Sequence, residues 1–433
     1  MIDWLKEKVS NQRIVILGFG LEGQSSFKYL LKNKIQNNII IADQNPDISK
    51  NPLVKDHVII SGQDYLQKLT IEDFIIKSPG IPLKSKRPDL LSHSQTSLFL
   101  EYYRNQIIGI TGTKGKSTTS SMIYQILQDQ GKASILVGNI GQPAFNLIEE
   151  ITNDVLIVYE LSAHQLQCVK TGPKMAILLN LMPEHLDFFE TRDKYYQAKL
   201  HIFNKQKEDD YSFYHENIER LFENLPNVNA THTLIKDDKL EYSEDKFLKK
   251  EDLKYLVGSH HLGNIQAIIE LIYYLKLNIT QAIDTIKNFH PLPHRQEYLG
   301  EKKGIRFIND SISTIPQSAI QAIKAVGQVD YLILGGLDRG IDYSDLAEFL
   351  ENQHFKKVFF LGKAGKSILR EFRENNMQMY FRFHWYEKLQ DIKQELLQIK
   401  KGTVLLSPAA ASYDSFKNFE ERGAYFRKIF DEL

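Results

Sequence analysis

Short runs of β-branched and aromatic residues alternate with helical stretches along most of this 433-residue chain. Such runs predict buried strands, and their separation by helices predicts parallel sheets that are covered on both faces. The sequence therefore predicts an α/β fold. The predicted strands are Arg13–Leu17, Asn38–Ala42, Phe74–Ile76, Gln106–Ile110, Ser134–Val137, Val155–Tyr159, Met175–Leu179, Ile305–Ile308, Tyr331–Leu334, Val358–Leu361 and Thr403–Leu406.

Many of these strands end directly in small or polar residues. Ligands in open α/β sheets bind outside the carboxyl ends of the strands. The residues at these ends are therefore candidates for binding and chemistry. They include Gly18–Gly20, Ser78–Gly80, Gly112–Thr113, Glu160, Asn180, Asn309–Asp310, Gly335–Gly336 and Ser407–Pro408.

The stretch Gly112–Ser117 lies between a predicted strand and a segment of helical spacing. Its glycines let backbone N–H groups converge on phosphate oxygens, and the following helix N-terminus attracts negative charge. Lys116 would reach the β- and γ-phosphates, and the Ser117 hydroxyl would bind Mg²⁺. Ile110 stands where the general phosphate-loop pattern has its first glycine, so a chance turn is the alternative. Strand, glycines, Lys-Ser pair and helix together favour ATP or GTP binding.

Two later residues could complete a metal site. Glu160 ends a predicted strand, where its carboxylate could support Mg²⁺, although a surface glutamate is the alternative. Lys199 lies on a helix for which Thr191 is the predicted N-cap, and it shares a face with Tyr195 and Ile202. A lysine on an apolar stripe usually reaches solvent, whereas a lysine that points into a site would be paired or chemically altered there. Spacing alone leaves both readings open.

The first third of the chain carries a dinucleotide-binding pattern. Gly18–Gly23 follows a strand and opens a helix, and Asp43 ends the next strand. This matches the G-x-G-x-x-G fingerprint with its acidic residue, and it favours a nucleotide-like ligand. A dehydrogenase would also need a hydride-acceptor site, for which the sequence offers no candidate.

Composition excludes several other classes. The chain has 54 basic and 54 acidic residues, so its zero net charge favours neither nucleic acid nor an anionic membrane as a partner. No window approaches 18 apolar residues, and the first residues lack the apolar core of a signal peptide. The single cysteine, Cys168, cannot form an internal disulfide, so we expect a reducing, cytoplasmic location.

The length suggests about three domains. One boundary is expected near residues 95–104, before the strand that leads into the phosphate loop, and another near Pro291–Pro293, where two prolines interrupt helix. We predict domains at 1–98, 99–291 and 292–433. Residues 205–257 are polar and irregular, and we expect them to form the outer part of the middle domain.

Taken in order, these motifs closely resemble the Mur ligase family over nearly the whole chain. The most specific stretch is Leu406–Phe419 with Arg422–Gly423 after it, which resembles the members that add D-glutamate. The other matching motifs are Ser78–Pro82, Gly138–Gly141, Glu160–Ser162 and Leu292–Arg295.

The resemblance implies a Rossmann-like N-terminal domain that holds the uridine diphosphate end of a substrate without NAD. It also implies a central ATPase-type domain with a mainly parallel sheet and a C-terminal Rossmann-like domain. The implied contacts to the uridine-linked substrate are Gly20, Leu21, Glu22, Asp43, Gln44, Ser78, Pro79, Gly80, Asn139, Ser162 and Gln165. Those to ATP are Gly112, Thr113, Lys114, Gly115, Lys116, Ser117, Thr118, Asn264, His294, Arg295 and Asp310. Those to glutamate are Thr314, Arg339, Ser412, Tyr413 and Phe419.

The resemblance further implies two Mg²⁺ ions, held by Ser117, Glu160, His185 and a carbamylated Lys199. Lys116, His185, Lys199 and Arg295 are its implied catalytic residues. The carboxylate of UDP-N-acetylmuramoyl-L-alanine would attack the γ-phosphate of ATP to give an acyl phosphate and ADP. The amine of D-glutamate would then attack the carbonyl and expel phosphate. We expect a monomer that closes its domains around these small molecules, with neither nucleic acid nor membrane insertion.

Some residues depart from the family pattern. Lys114 replaces an asparagine of the phosphate loop, and His261 also stands where asparagine is usual. Ile312 and Arg339 each stand where many members have lysine, and Gln44 and Asn45 lie where some have an arginine. These changes leave open a sister enzyme that uses L-glutamate or another acidic amino acid. The remaining alternative is a nucleotide-binding homologue that has lost catalysis.

Overall fold

The structure is a computed structural model. It describes the chain except at positions 11, 36–37, 139–141, 183, 185, 216–217, 219–230, 236–240, 244–245, 250–251, 254 and 257–260. It confirms the α/β fold and every strand predicted from the sequence, to within a residue or two at the ends. The strands are β1 Ile14–Leu17, β2 Ile39–Asp43, β3 Val58–Ser61, β4 Phe74–Lys77, β5 Ser92–His93, β6 Ile107–Thr111, β7 Ser134–Gly138, β8 Leu156–Glu160, β9 Met175–Leu178, β10 Tyr211–His215, β11 Thr231–Ile235, β12 Glu241–Ser243, β13 Lys246–Phe247, β14 Glu297–Lys302, β15 Ile305–Asn309, β16 Tyr331–Gly335, β17 Lys357–Leu361, β18 Arg382–Tyr386 and β19 Gly402–Leu406.

The α-helices fill most of the intervals between these strands, as the alternating pattern predicts. Several begin at a side-chain cap: Ser94 caps α4, and Thr191 caps α8 by accepting the N–H of Lys194, which confirms the predicted cap. The helices are α1 Ile2–Lys8, α2 Leu21–Lys32, α3 Leu83–Lys86, α4 Gln95–Tyr103, α5 Lys116–Asp129, α6 Ala163–Leu166, α7 Leu186–Phe189, α8 Arg192–Asn204, α9 His261–Tyr274, α10 Ile279–Asn288, α11 Pro316–Val326, α12 Ser344–Glu351, α13 Gly362–Glu374, α14 Lys393–Leu397 and α15 Phe419–Asp431. No helix in the described part of the chain combines the length and apolarity needed to cross a bilayer.

The chain forms two compact units, of which the first comprises Met1–Phe247 and Gly263–Ile283. This unit contains two fully parallel sheets, with strand orders β3-β2-β1-β4-β5 and β11-β10-β9-β6-β8-β7. The central strands β1, β4 and β6 are buried at every residue, as strands with helices on both faces must be.

Each of these sheets has a point where the strand order reverses, and the glycine-rich loops Gly18–Gly23 and Gly112–Ser117 lie there. In the first sheet β1 lies between β2 and β4, so the loops after β1 and β4 adjoin. The Ser78 hydroxyl donates to the Gly18 carbonyl at 3.0 Å across this point. In the second sheet β6 lies between β8 and β9, which brings Gly112 beside the ends of both strands. Reversal points of this kind are the usual ligand crevices of open α/β sheets.

The second unit comprises Leu248–Leu262 and Asp284–Leu433. Its sheet has the order β14-β15-β19-β16-β17-β18 and is mixed, because β14 pairs antiparallel with β15 while the other pairs are parallel. The C-terminal α/β prediction is therefore confirmed, with an added hairpin at one edge. The carboxyl ends of β15, β19 and β16 adjoin, which gathers Asp310, Ser407 and Gly336 at one edge.

The interpretation of residues 205–257 as irregular was wrong in part. Tyr211–His215 pairs with β9 and extends the second sheet, followed by Thr231–Ile235. The strands β3 and β18 were also missed. Both are edge strands without a fully buried residue. Arg382 and His384 interrupt the apolar residues of β18, whereas the β-branched run Val58–Ile60 in β3 was an available signal.

Helix α2 packs so closely on the loop after β1 that Gly23 has no space for a side chain. A Cβ at Gly23 would lie 2.0 Å from the Gly18 carbonyl oxygen, whereas a Cβ at Gly20 would meet nothing within 4 Å. We expect Gly23→Ala to lower the free energy of unfolding by about 1 to 3 kcal/mol, because backbone must shift to admit the methyl group. Urea denaturation of Gly23→Ala and of the control Gly20→Ala measures this, and equal stability of the two variants would contradict the close packing.

Candidate active site

The loop between β6 and α5 has the backbone shape of a phosphate cradle. Gly112 and Gly115 have φ values of +155° and +84°, which side-chain-bearing residues rarely adopt. A Cβ at Gly115 would lie 2.5 Å from Nδ2 of Asn264 on α9, so this asparagine packs directly on the loop. Lys116 begins α5, and its ammonium donates to the carbonyls of Gly112 and Thr113 at 2.9 and 3.0 Å. Two of the predicted ATP contacts, Asn264 and Lys116, therefore meet at one loop.

Ser117 and Glu160 come together beside this loop. The Ser117 hydroxyl donates to Oε1 of Glu160 at 3.2 Å, and both residues are buried. A hydroxyl oxygen and a carboxylate are the hard oxygen ligands that Mg²⁺ prefers. The pair brought together by β6 and β8 thus has the chemistry of the predicted metal site. Thr118 follows in the same buried first turn of α5.

Lys199 points inward from α8. It is 2% exposed, its ammonium donates to the Gly112 carbonyl at 2.8 Å, and it lies 4.9 Å from the centre of the Tyr195 ring. Burial, and next the positive charge of Lys116, lower the pKa of Lys199 well below its ordinary value. Of the two readings that spacing left open, the structure favours the lysine in a site over the lysine that reaches solvent.

A network around Lys114 joins the phosphate loop to the segment after β9. The Asn180 side chain accepts the N–H of Lys114 at 2.8 Å and donates to its carbonyl at 3.0 Å. The Lys114 ammonium pairs with the Glu184 carboxylate at 2.6 Å. Thr113 adds a reciprocal pair with Met182, whose N–H donates to the threonine hydroxyl at 3.0 Å. The unexpected lysine of this loop therefore has a structural partner.

Asp43 holds the loop after β1. Its two carboxylate oxygens accept the N–H groups of Phe19 and Asn45 at 2.7 and 2.8 Å. Lys77, at the end of β4, is buried and donates to the carbonyls of Ser78, Pro79 and Ile81 at 3.0 to 3.1 Å. The two loops that meet at the reversal point are thus each fixed by one charged side chain. Gly20, Leu21, Gln44 and Gly80 lie exposed around them.

Glu22 turns toward the second sheet of the same unit. Its Oε1 accepts Nε2 of Gln165 at 2.9 Å, and burial raises the pKa of its carboxyl group. Gln165 and Ser162 also form the capping box of α6. These three predicted substrate contacts therefore form one hydrogen-bonded chain between α2 and α6.

In the second unit, Asp310 organises the ends of β15 and β19. It accepts the Ser407 hydroxyl at 2.7 Å and the N–H of Gln296 at 3.1 Å, and burial raises its pKa to about 6. His294 has a φ of +64°, and its Nδ1 lies 2.9 Å from Nδ2 of Asn309. Arg295 follows His294, and among the described residues its buried Nε has no hydrogen-bond partner.

The predicted glutamate contacts lie at the same edge of this unit. Arg339 donates to the Thr314 carbonyl at 3.3 Å, so these two residues meet as expected. Ser412 is buried, and Tyr413 beside it is 67% exposed. Phe419 begins α15, with its ring centre 6.4 Å from that of His294. The structure therefore gathers these residues on the loops after β15, β16 and β19.

Comparison with known proteins identifies the family. Residues 12–95 match the Mur ligase MurD-like N-terminal domain, and residues 110–274 match the Mur ligase middle domain. A UDP-N-acetylmuramoylalanine–D-glutamate ligase from Thermoanaerobacter sp. (strain X514) is 30% identical, and the alignment covers 98% of this chain and 99% of the relative. The chain belongs to the Mur ligase family.

Other relatives agree with this assignment. The ligase of the same name from Clostridioides difficile (strain 630) is 29% identical over 98% of this chain and 99% of its own. The structure of MurF ligase from Thermotoga maritima in complex with ADP covers 97% of this chain and 95% of that one, with 16% identity and a TM-score of 0.56. That likeness shows the shared Mur ligase fold.

Two predicted site residues cannot be placed, and three residues that hold the loops were not predicted as such. Asn139 and His185 lie outside the described residues. Asn180 was noted only as a strand end, and Glu184 and Lys77 were not singled out, although each holds a loop of this Mur ligase. The position of Asn180 after β9 was the available signal. Nothing in the sequence indicated that Glu184 and Lys114 would meet.

The Lys114–Glu184 pair can be tested by a double-mutant cycle. We expect Lys114→Asn and Glu184→Gln to show a coupling free energy of about 0.5 to 1 kcal/mol, the range for a partly exposed ion pair. Urea denaturation of the wild type, both single variants and the double variant measures it, at low and at high salt. Strictly additive effects at low salt would rule out the pairing.

Proposed function

We propose that this chain is an ATP-dependent, ADP-forming ligase that joins D-glutamate to UDP-N-acetylmuramoyl-L-alanine in peptidoglycan precursor synthesis. The observation that carries the proposal is the cluster in the first unit, where Lys116, Lys199, Ser117 and Glu160 converge on the glycine loop after β6. The near-full-length similarity to relatives named UDP-N-acetylmuramoylalanine–D-glutamate ligase supports the choice of substrates.

ATP would bind with its phosphates at the loop Gly112–Ser117. The loop amides and the N-terminus of α5 favour negative charge there, and Lys116 is within reach because its ammonium already lies on the loop. Asn264 would contact the nucleotide from α9. In the second unit, His294, Arg295 and Asp310 are the proposed further contacts. The buried Arg295 Nε, without a hydrogen-bond partner among the described residues, suits a phosphate oxygen as acceptor.

Two Mg²⁺ ions fit the residues around the loop. Ser117 and Glu160 would hold the first. The second would be held by His185, which lies outside the described residues, together with one further ligand. A carbamate on Lys199 would supply it. Bound at these positions, the ions would neutralise charge on the transferring phosphoryl group.

The surroundings of Lys199 suit carbamylation. A neutral amine is the form that reacts with carbon dioxide, and the lowered pKa keeps a larger fraction of the Lys199 amine neutral. The resulting carboxylate would lie near Lys116, whose positive charge would stabilise it.

The reaction would have two steps. The carboxylate of the UDP-linked substrate attacks the γ-phosphorus and ADP leaves, which gives an acyl phosphate. The amine of D-glutamate then attacks the acyl carbon and phosphate leaves. Lys116 and Arg295 would stabilise the charge that develops during phosphoryl transfer. Thr314, Arg339, Ser412, Tyr413 and Phe419 would orient the amino acid.

The remaining features of the proposal follow from the family. The loops after β1 and β4, with Asp43 and Ser78, would receive the uridine diphosphate end of the substrate. The division into domains 1–98, 99–291 and 292–433 assigns one larger sheet to each domain, which supports it. A monomer in the cytoplasm, where ATP and UDP-linked precursors are available, is the proposed working form.

The proposal can be tested by measuring which amino acid the enzyme uses. With UDP-N-acetylmuramoyl-L-alanine, ATP and Mg²⁺, we expect ADP release and a new amide product with D-glutamate, and less than about 1% of that rate with L-glutamate. A coupled ADP assay with mass analysis of the product measures both. ADP release with L-glutamate alone would indicate a sister ligase, and no release with either isomer would remove the proposal.

Lys199 can be tested by chemical rescue. We expect Lys199→Ala to lower kcat by at least about a hundredfold, because a ligand and a positioning group are both lost. Millimolar acetate or formate should restore part of the activity by replacing the carbamate oxygens. The matched control is Lys194→Ala on the exposed face of α8, where Lys194 pairs with Glu190 at the surface. Wild-type activity of Lys199→Ala would make the residue purely structural.

A further inference from the structure

The buried guanidinium of Arg422 lies among the loops that carry the proposed glutamate contacts. Arg422 is in the first turns of α15 and is 2% exposed. Its Nε donates to the Ser311 hydroxyl at 3.0 Å, and its Nη2 donates to the Ser311 carbonyl at 2.8 Å. Its Nη1 donates to the Ala410 carbonyl at 3.0 Å. One planar fork therefore joins the loop after β15 to the loop after β19.

The loop after β16 and the start of α15 are held by the same group of contacts. Gly336 lies so close that a Cβ there would come within 3.3 Å of Nη1 of Arg422. The Leu337 N–H donates to the Ala411 carbonyl at 2.9 Å, which ties this loop to its neighbour. The Ser311 hydroxyl, which accepts from Arg422, donates in turn to the Phe419 carbonyl at 2.8 Å.

Burying the Arg422 guanidinium costs free energy, which indicates that this side chain does more than fill space. The three hydrogen bonds all go to neutral oxygens, although a buried cation is strongly destabilising unless its charge is compensated. Burial lowers the pKa of Arg422 to about 10, so the group still carries its charge at neutral pH, with Asp414 and Asp310 as the nearest compensating charges. An apolar side chain would fill the same space at a lower desolvation cost, but it could not join the loops after β15 and β19 by hydrogen bonds.

We propose that Arg422 is the positioning residue of the amino-acid site: its guanidinium fixes the loops that present Thr314, Arg339, Ser412 and Phe419 to glutamate. This rests on the proposed function for the identity of the amino acid. The guanidinium nitrogens already donate to Ser311 and Ala410, so Arg422 acts through the residues that it holds. Lysine cannot replace it, because one ammonium cannot reach Ser311 and Ala410 in the fixed geometry of the fork.

The kinetic test uses Arg422→Lys, which keeps the charge, and Arg422→Gln. We expect both to raise KM for D-glutamate by roughly tenfold or more while KM for ATP stays within about twofold, because the loops that receive glutamate lose their common support. The matched control is Lys302→Met. Lys302 also anchors α15, through the carbonyls of Phe430 and Asp431 at 3.0 Å, but at the far end of the helix. If the effect came from a general loosening of α15, KM for D-glutamate would rise in Lys302→Met as well as in the Arg422 variants.

A second measurement separates this inference from the proposed function. We expect amide hydrogen exchange to accelerate at residues 310–314 and 409–416 in Arg422→Lys, and not in Lys302→Met, whether or not the wild type turns over D-glutamate. Loss of wild-type turnover with every amino acid would remove the proposed function but leave this result standing. Unchanged exchange together with an unchanged KM for the amino acid in Arg422→Lys would overturn the inference. An equal rise of KM for ATP and glutamate would also overturn it, since that result indicates a merely structural role.

Discussion

The carbonyl of Gly112 is the point on which the site in the first unit depends. The ammonium groups of Lys116 and Lys199 both donate to this one oxygen, at 2.9 and 2.8 Å. Burial, and next the positive charge of Lys116, lower the pKa of Lys199, whereas the carboxylates of Glu184 and Glu160 act in the opposite direction. Gly112 itself has a φ of +155°, which favours glycine at this position. The site is therefore electrostatically strained in a way that favours the arrival of further negative charge, such as phosphate or a carbamate.

The candidate sites in the three larger sheets are built in the same way. In each, neighbouring parallel strands end side by side, and a charged or polar side chain from one end fixes the backbone of the next. Asp43 holds the loop after β1, Asn180 holds the phosphate loop, and Asp310 joins the ends of β15 and β19. Asp43 and Asn180 accept backbone N–H groups and Asp310 accepts the Ser407 hydroxyl, so these contacts fix loop shape whatever ligand arrives. Binding loops preorganised in this way lose little entropy when substrate binds.

Arg422 also fixes loops at strand ends, but it does so with a buried cation. The acidic side chains accept hydrogen bonds, whereas the guanidinium donates them, to the Ser311 hydroxyl and to the carbonyls of Ser311 and Ala410, and it reaches two loops at once. Beside it, Gly423 lets His294 approach so closely that a Cβ would lie 2.1 Å from Nδ1 of that histidine. The first turns of α15 therefore support both the loop that carries His294 and Arg295 and the loops that carry the glutamate contacts.

The sequence by itself determined the α/β class, the central strands and the phosphate loop, because continuous β-branched runs and fixed glycine spacing are local signals. It also determined the family, through motifs such as Leu406–Phe419. Tertiary structure alone decided which partners these residues meet. The edge strand β18 escaped prediction because Arg382 and His384 interrupt its apolar residues, whereas β3 was missed although Val58–Ile60 is a β-branched run. The Lys114–Glu184 pair and the inward turn of Lys199 could not be predicted either, since they join residues about 70 and 87 positions apart that come close only when β6, β9 and α8 pack together.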